Sequence, residues 1–113
     1  MNQPEIVVLP QVESDLRRLQ RRYPSVRADL EQAVRLLGAK SNLLFQARYP
    51  GFGQRSIWKG RVINSDINKG KSSGYRLIWE DLDAQIVVIH IYDHTTQGTE
   101  RQVIATVRER LGS

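Results

Sequence analysis

The chain contains no cysteine among its 113 residues. This excludes a disulfide framework, a thiolate nucleophile and a cysteine-based metal site. Histidine is also scarce, since His90 and His94 are the only two. With so few nitrogen and sulfur ligands we expect no dedicated metal site, and no sequence motif indicates a small-molecule cofactor.

Long apolar runs are missing as well. The stretch from Ile86 to Ile91 is interrupted by His90 and is far too short to cross a bilayer. The first residues, Met1 to Glu5, lack the basic and then apolar segments of a signal peptide. We therefore expect a cytoplasmic protein with no membrane partner, built as one domain over residues 1–113.

Positive charge is concentrated in one part of the chain. Between Arg48 and Arg76 lie seven basic residues and a single acid, Asp66, a local balance of +6 against +5 for the whole chain. Such clustering is typical of an anion-binding surface, and it favours nucleic acid or the ribosome as a partner.

The amino-terminal third predicts a strand followed by two helices. Glu5–Leu9 is a β-branched run closed by a proline. An apolar stripe of helical period then ends at Pro24, and Ser25 is a plausible N-cap for a second helix that ends at Gly38. The stripes consist of Val12, Leu16, Leu19 and Tyr23 in the first helix and Val26, Leu30, Ala33, Val34 and Leu37 in the second.

From Ala39 to Arg55 the periodicity fails, which indicates a loop. Three strands are predicted next, at Ile57–Ile63, Tyr75–Glu80 and Ile86–Tyr92, the last two joined by a hairpin connection. Thr99 and Gln102 then fit the capping box of a terminal helix. The order β-α-α-β-β-β-α predicts an α+β fold with an antiparallel sheet of about four strands, the helix hairpin covering one face.

An antiparallel meander brings the end of each strand beside the start of the next. Arg61, Arg76 and the segment Tyr92-Asp93-His94 should therefore converge at one end of the sheet. Lys59 lies two residues before Arg61 on the same face, roughly 7 Å away by strand rise. This spacing suits two cations that bind one phosphate or two neighbouring phosphates.

Four segments together resemble a known family. They are NSDINKGKSSGYRLIW, the preceding K-x-R strand, the helix hairpin RRYPSVRADL and the strand end IYDHTTQ. They are similar to the RelE/HigB-type toxins of bacterial type II toxin–antitoxin systems. The resemblance implies a RelE-like microbial RNase fold and a ribosome-dependent mRNA endoribonuclease, which is neutralised by a cognate antitoxin protein.

RNA supplies its own nucleophile in this chemistry, because the 2′-hydroxyl attacks the adjacent phosphorus and leaves a 2′,3′-cyclic phosphate. The protein must move protons and stabilise added negative charge, which needs no metal. The predicted catalytic residues are Lys59, Arg61, Arg76, Tyr92, Asp93 and His94. The predicted contacts to RNA or ribosome are Lys69, Lys71, Arg17, Arg18, Arg21, Arg22 and Arg55.

Two other classes of function remain open. One is a non-enzymatic ParE-type toxin, which shares the fold and inhibits a topoisomerase. The other is a basic RNA-binding module, which would bind without cleaving. A catalytic function requires Arg61, Arg76 and a proton-transfer group together, and the chain offers few surface aromatics for base stacking.

His94 is the predicted proton-transfer residue, because an imidazole exchanges protons near neutral pH whereas Lys and Arg do not. We expect His94→Ala to lower the single-turnover cleavage rate by roughly 10²–10⁴ with little change in ribosome affinity. Many relatives carry lysine at this position, so His94→Lys is the discriminating variant. High activity in the lysine variant would show that the position supplies only positive charge.

Overall fold

The computed structural model describes residues 3–67, 74–93 and 99–112. The predicted site residues Lys69, Lys71 and His94 lie outside these ranges. The helices are α1 (Val12–Gln20), α2 (Val26–Gly38) and α3 (Glu100–Arg110). The strands are β1 (Glu5–Val8), β2 (Ala47–Arg48), β3 (Ile57–Val62), β4 (Tyr75–Asp81) and β5 (Gln85–Asp93).

The fold is α+β, and its sheet has five strands in the order β1-β5-β4-β3-β2. The predicted antiparallel meander is present in β3, β4 and β5. The expectation of an antiparallel sheet of about four strands is wrong, however, because the sheet has five strands and β1 pairs with β5 in parallel. Local sequence patterns carry no information about this pairing, which joins residues some eighty positions apart.

The segment expected to be a loop contains the fifth strand. Ala47 and Arg48 pair with Lys59 and Trp58 at the outer edge of β3. A strand of two residues shows no alternation of apolar and polar side chains, so sequence periodicity misses it.

Helices cover both faces of the sheet. The hairpin of α1 and α2 packs on one face, called here the hairpin face, where the predicted apolar stripes meet Tyr75, Leu77 and Trp79. On the other face, the α3 face, Val103 and Val107 pack against Ile78 and Ile89. Because both faces are covered, every residue of β4 except the last is buried. Within the described ranges, no helix is long and apolar enough to cross a membrane.

The helices α2 and α3 begin at the predicted N-cap residues, but only the N-cap of α3 makes the predicted capping hydrogen bonds. The capping box of α3 is confirmed, since Thr99 Oγ1 accepts the N–H of Gln102 at 3.2 Å and the Gln102 side chain accepts the N–H of Thr99 at 2.9 Å. Ser25 occupies the N-cap of α2 without capping it. Its backbone and hydroxyl donate to Asp66 instead, at 2.8 and 3.1 Å, which ties the β3–β4 connection to the helix hairpin.

A buried carboxylate joins α1, β5 and α3. Asp15 is 1% exposed and accepts two hydrogen bonds from Arg110, at 2.7 and 2.8 Å. His90 Nδ1 lies 2.9 Å from the same carboxylate, and the N–H of Ile91 donates to it at 3.2 Å. Strand β1 pairs with β5 only as far as Val88, and beyond that point the Asp15 carboxylate accepts the backbone N–H of Ile91 at the edge of β5.

This network sets the ionisation of Asp15. Burial alone would raise the pKa of Asp15, but hydrogen bonds from Arg110 and His90 outweigh burial and hold the pKa below its ordinary value. A carboxylate whose pKa is lower in the folded than in the unfolded state stabilises the fold at neutral pH. That contribution is lost as the pH falls through the folded-state pKa.

We expect Asp15→Asn to lower the free energy of unfolding by about 3–5 kcal/mol at pH 7, because it leaves Arg110 without its counter-charge. The difference from the wild type should narrow as the pH falls through the lowered folded-state pKa of Asp15, where the wild-type carboxylate is itself neutralised. Urea unfolding at several pH values measures both. Glu31→Gln on the exposed surface of α2 is the matched control. A constant difference down to low pH would contradict the assignment.

Candidate functional site

The strand register brings three predicted site residues side by side. Arg61 lies opposite Arg76 in the β3–β4 pair, and Arg76 lies opposite Tyr92 in the β4–β5 pair. Residues directly opposite one another share a face of the sheet, with Cβ atoms roughly 5 Å apart. The predicted convergence of these residues is therefore confirmed, and it occurs on the α3 face.

Lys59 stands on the same face, two residues before Arg61 and opposite Ile78. Between the two cations, Gly60 turns towards the hairpin face, where the Trp79 ring packs against it. A Cβ at this position would lie 2.8 Å from the Trp79 ring and 3.1 Å from Leu44. A side chain at position 60 would therefore push β3 away from this packing and displace both cations.

These residues line an open cleft of about 420 Å³. Its floor is the α3 face of β3, β4 and β5, and the chain around β2 forms one wall. The cleft is lined by Phe45, Ala47, Arg48, Tyr49, Lys59, Gly60, Arg61, Arg76 and Tyr92. Four of these carry positive charge and none carries negative charge. The cleft is therefore suited to an anion with apolar parts, such as a nucleotide.

Arg76 is largely buried at the base of the cleft, with 8% of its surface exposed. Its Nη1 donates to the carbonyl of Tyr75 at 3.4 Å. Burial lowers the pKa of Arg76 from its ordinary value, and the nearby charge of Arg61 lowers it further. Like charges on directly opposite residues of a sheet repel one another. An anion bound between them would relieve that repulsion.

Tyr92 is 5% exposed, and its hydroxyl has no hydrogen-bond partner among the described residues. Burial raises the pKa of Tyr92, and the charge of Glu100 adds to the effect. The hydroxyl therefore stays protonated at neutral pH and can donate a hydrogen bond. Its ring rests on His90, with centroids 5.1 Å apart. A buried polar group without a partner, facing a cleft, indicates a place for a ligand atom.

One carboxylate beside this cleft was missed in the sequence. Glu100 lies in the first turn of α3, and its oxygens are 3.3 and 3.4 Å from Lys59 Nζ. Lys59 also lies over the ring of Tyr49, 5.1 Å from its centroid. Burial raises the pKa of Tyr49, and Glu100 raises it further. The capping box does place Glu100 at a helix start, but only the packing of α3 brings it to Lys59.

Asp93, by contrast, is not beside the arginines. It lies opposite Tyr75 and therefore on the hairpin face, where it is 5% exposed. Its carboxylate accepts a hydrogen bond from the Tyr23 hydroxyl at 2.9 Å. Successive residues of a strand point to opposite faces, so adjacent Tyr92 and Asp93 cannot both face the cleft. Asp93 therefore lies at the predicted end of the sheet but on the face opposite to the arginines, which argues against its predicted catalytic role.

Arg17 and Arg18 lie on α1, and Arg21 and Arg22 follow its last residue, Gln20. Helix α1 packs on the hairpin face, away from the cleft. Arg17 pairs with Glu13 at 3.4 Å, and Arg18 lies 3.5 Å from Asp15. The guanidinium of Arg22 lies over the Tyr23 ring, 5.4 Å from its centroid. These three and Arg21 are exposed, so they form a basic surface separate from the cleft.

Arg55 is a predicted RNA contact, but its guanidinium pairs with a buried carboxylate, although 43% of its side chain is exposed. It donates two hydrogen bonds to Glu80, each of 2.9 Å. Glu80 is 5% exposed, and this pair compensates its buried charge. The geometry therefore indicates a structural contribution from Arg55.

No group of three His, Cys, Asp or Glu side chains within the described parts of the chain is placed to hold a metal ion. Comparison of the sequence with known protein families and with curated proteins, and of the fold with solved structures, finds no match.

We expect Arg55→Gln to lower the free energy of unfolding by about 1–3 kcal/mol, because the buried Glu80 loses its charged partner. Binding of the protein to RNA or ribosomes should change little. Thermal unfolding and a filter-binding assay measure the two effects. Arg48→Gln, which alters a basic side chain that lines the cleft, is the comparison. Weaker binding without a loss of stability would instead place Arg55 in the RNA contact.

Proposed function

We propose that this protein is a RelE/HigB-type toxin of a type II toxin–antitoxin system and acts as a metal-independent endoribonuclease on ribosome-bound mRNA. The observation that carries the proposal is the row of Arg61, Arg76 and Tyr92 across three adjacent strands. Together with Lys59, this row provides fixed positive charge and a protonated hydroxyl in one cleft. The sequence resemblance supplies the reaction class that uses such a set.

The reaction adds negative charge to a phosphate that is already charged. Attack of the 2′-hydroxyl forms a phosphorane, whose stabilisation requires donors held in place before the reaction. Arg76 is buried in the sheet and Arg61 is its direct partner on β3, so the strand register fixes the spacing of the two residues in the backbone. A guanidinium can donate two parallel hydrogen bonds to phosphate oxygens. We assign charge stabilisation to this pair, with Lys59 as a third cation.

The fold supports a RelE-like arrangement in its central part. Strands β3, β4 and β5 form an antiparallel ladder, with the helix hairpin on one face and the candidate cleft on the other. The parallel strand β1 adds to the far edge and does not border the cleft. We therefore assign the substrate to the exposed part of the α3 face.

The proposed partners follow from the small size of the cleft. It offers about 420 Å³, which is enough for roughly one nucleotide rather than a longer RNA segment. Alignment of the mRNA then has to come from another surface, and the ribosome provides one. A cognate antitoxin would neutralise the basic cleft through acidic or amphipathic segments, and their association rate should fall as salt is raised.

We expect Arg76→Gln to reduce cleavage of ribosome-bound mRNA by roughly 10²–10³, the scale for loss of one oxyanion donor. Glutamine keeps much of the buried side chain's length, so the fold should survive. Primer extension on mRNA after induced expression, and on purified ribosome complexes, measures cleavage. The control is Arg35→Gln on the exposed surface of α2.

The same assay separates the alternative functions. A ParE-type toxin would arrest growth without new 5′ ends in mRNA, and its target would be a topoisomerase. A plain RNA-binding module would bind the ribosome or RNA and cleave neither. Cleavage of free RNA as fast as ribosome-bound mRNA would contradict ribosome dependence.

A further inference from the structure

We propose that Glu100 is the proton acceptor of this site and removes the proton of the attacking 2′-hydroxyl. The inference rests on the proposed ribonuclease function and gives one further residue a catalytic role. It starts from the position of the Glu100 carboxylate, 3.3 Å from Nζ of Lys59, a cation that lines the basic cleft.

Glu100 does not itself line the cleft, but its carboxylate pairs with Lys59, which does. Asp93 is buried on the hairpin face and bound to Tyr23. Glu80 lies on the α3 face but is held by both hydrogen bonds from Arg55. The side chain of Glu100 is half exposed, so it is open to a substrate from the solvent side.

Three aromatic and basic side chains define where that carboxylate lies. Lys59 forms the salt bridge with Glu100 and also lies over the Tyr49 ring. The charge of Glu100 contributes to the raised pKa of both Tyr49 and Tyr92. The carboxylate therefore lies next to Lys59, whose ammonium group lies over the Tyr49 ring.

This arrangement matches the layout of the reacting groups. A phosphate between Arg61 and Arg76 lies beside Tyr92, because the three residues are direct neighbours across the sheet. The ribose that carries the attacking hydroxyl then extends along the same face towards Lys59 and Glu100. A deprotonated carboxylate in a salt bridge has free lone pairs to accept a proton, whereas Lys59 in that pair has none.

The unpartnered hydroxyl of Tyr92 supports a ligand at this place independently of Glu100. It is buried, lines the cleft and has no acceptor among the described residues. A leaving 5′-oxygen would provide that acceptor. Tyr92 is then the proton donor that corresponds to the acceptor Glu100.

The step is balanced in atoms and charge. The bond between the 2′-oxygen and phosphorus forms, and the 2′-hydroxyl proton passes to the Glu100 carboxylate. The bond between phosphorus and the 5′-oxygen breaks, and that oxygen takes the proton of the Tyr92 hydroxyl. Glu100 then returns its proton to Tyr92 through water, so neither an external reagent nor a metal is consumed.

The test uses the full chain and mRNA bound to ribosomes under single-turnover conditions. Glu100→Gln removes the proton acceptor and keeps the size and hydrogen-bonding capacity of the side chain. We expect its cleavage rate to fall by roughly 10²–10⁴, with ribosome affinity unchanged. Glu100→Asp keeps a carboxylate on a shorter side chain and should retain more activity than the glutamine variant. Glu109→Gln, an exposed position at the other end of α3, is the matched control and should cleave like the wild type.

A pH series distinguishes proton transfer from a structural contribution of the Lys59 salt bridge. Without a general base, hydroxide must remove the 2′-proton, so the deficit of the glutamine variant should shrink as the pH rises. A deficit that arises only from a displaced Lys59 or a weakened α3 would not shrink in this way. Thermal unfolding of the same variants reports any loss of helix packing.

The outcomes for the two proposals differ. Cleavage by the wild type together with an unchanged or faster rate in Glu100→Gln overturns the role of Glu100 and leaves the ribonuclease proposal intact. A faster rate would mean that Glu100 competes with the substrate for Lys59. Absence of cleavage by the wild type itself overturns the ribonuclease proposal, and the role of Glu100 falls with it.

Discussion

The buried carboxylate of Asp15 is the contact on which the geometry of this protein depends. Asp15 lies in α1, accepts hydrogen bonds from Arg110 of α3, and contacts the His90 ring of β5. The Tyr92 ring rests on His90, and the opposite end of α3 carries Glu100 to Lys59. One ion network outside the cleft therefore helps to position two of the groups beside it, Tyr92 and Glu100. Such a network is costly to desolvate and contributes mainly through the arrangement that it holds in place.

Successive side chains of each strand point to opposite faces of the sheet, so core residues lie on one face and the candidate site residues on the other. In β4, Tyr75, Leu77 and Trp79 point into the core beneath the helix hairpin, while Arg76 points to the α3 face between them. Both faces of the central strands are covered, so a cation placed there is partly desolvated and its pKa is lowered. The same burial makes Arg76 a strong donor to a phosphate, because electrostatic attraction is larger where water is excluded. The cleft accordingly lies on the part of this face of the sheet that α3 does not cover.

The sequence was most informative where an apolar stripe of helical period was bounded by a proline, a glycine or a capping motif. The apolar stripes of α1 and α2 are all buried, apart from the partly covered Val34, and the capping box at Thr99 is present. The three-strand meander could also be predicted, and with it the alignment of Arg61, Arg76 and Tyr92. Sequence patterns predicted strand β1 but not its parallel pairing with β5, and they missed strand β2 entirely. Both features depend on contacts with distant chain segments. Sequence patterns also failed at Arg55, whose partner Glu80 lies on a different strand.

The sequence by itself determined the helices, the strands other than β2, the concentration of positive charge and the row of Arg61, Arg76 and Tyr92. These features depend on local periodicity and on hairpin connections, which are written in neighbouring residues. Tertiary structure alone decided which carboxylate accompanies that row. Asp93 is adjacent to Tyr92 in the chain but points to the opposite face and binds Tyr23, while Glu100 comes from a separate helix and reaches Lys59. The physical reason is that a strand reverses the direction of each successive side chain, whereas the docking of α3 is set by a contact with Asp15, 95 residues away from Arg110.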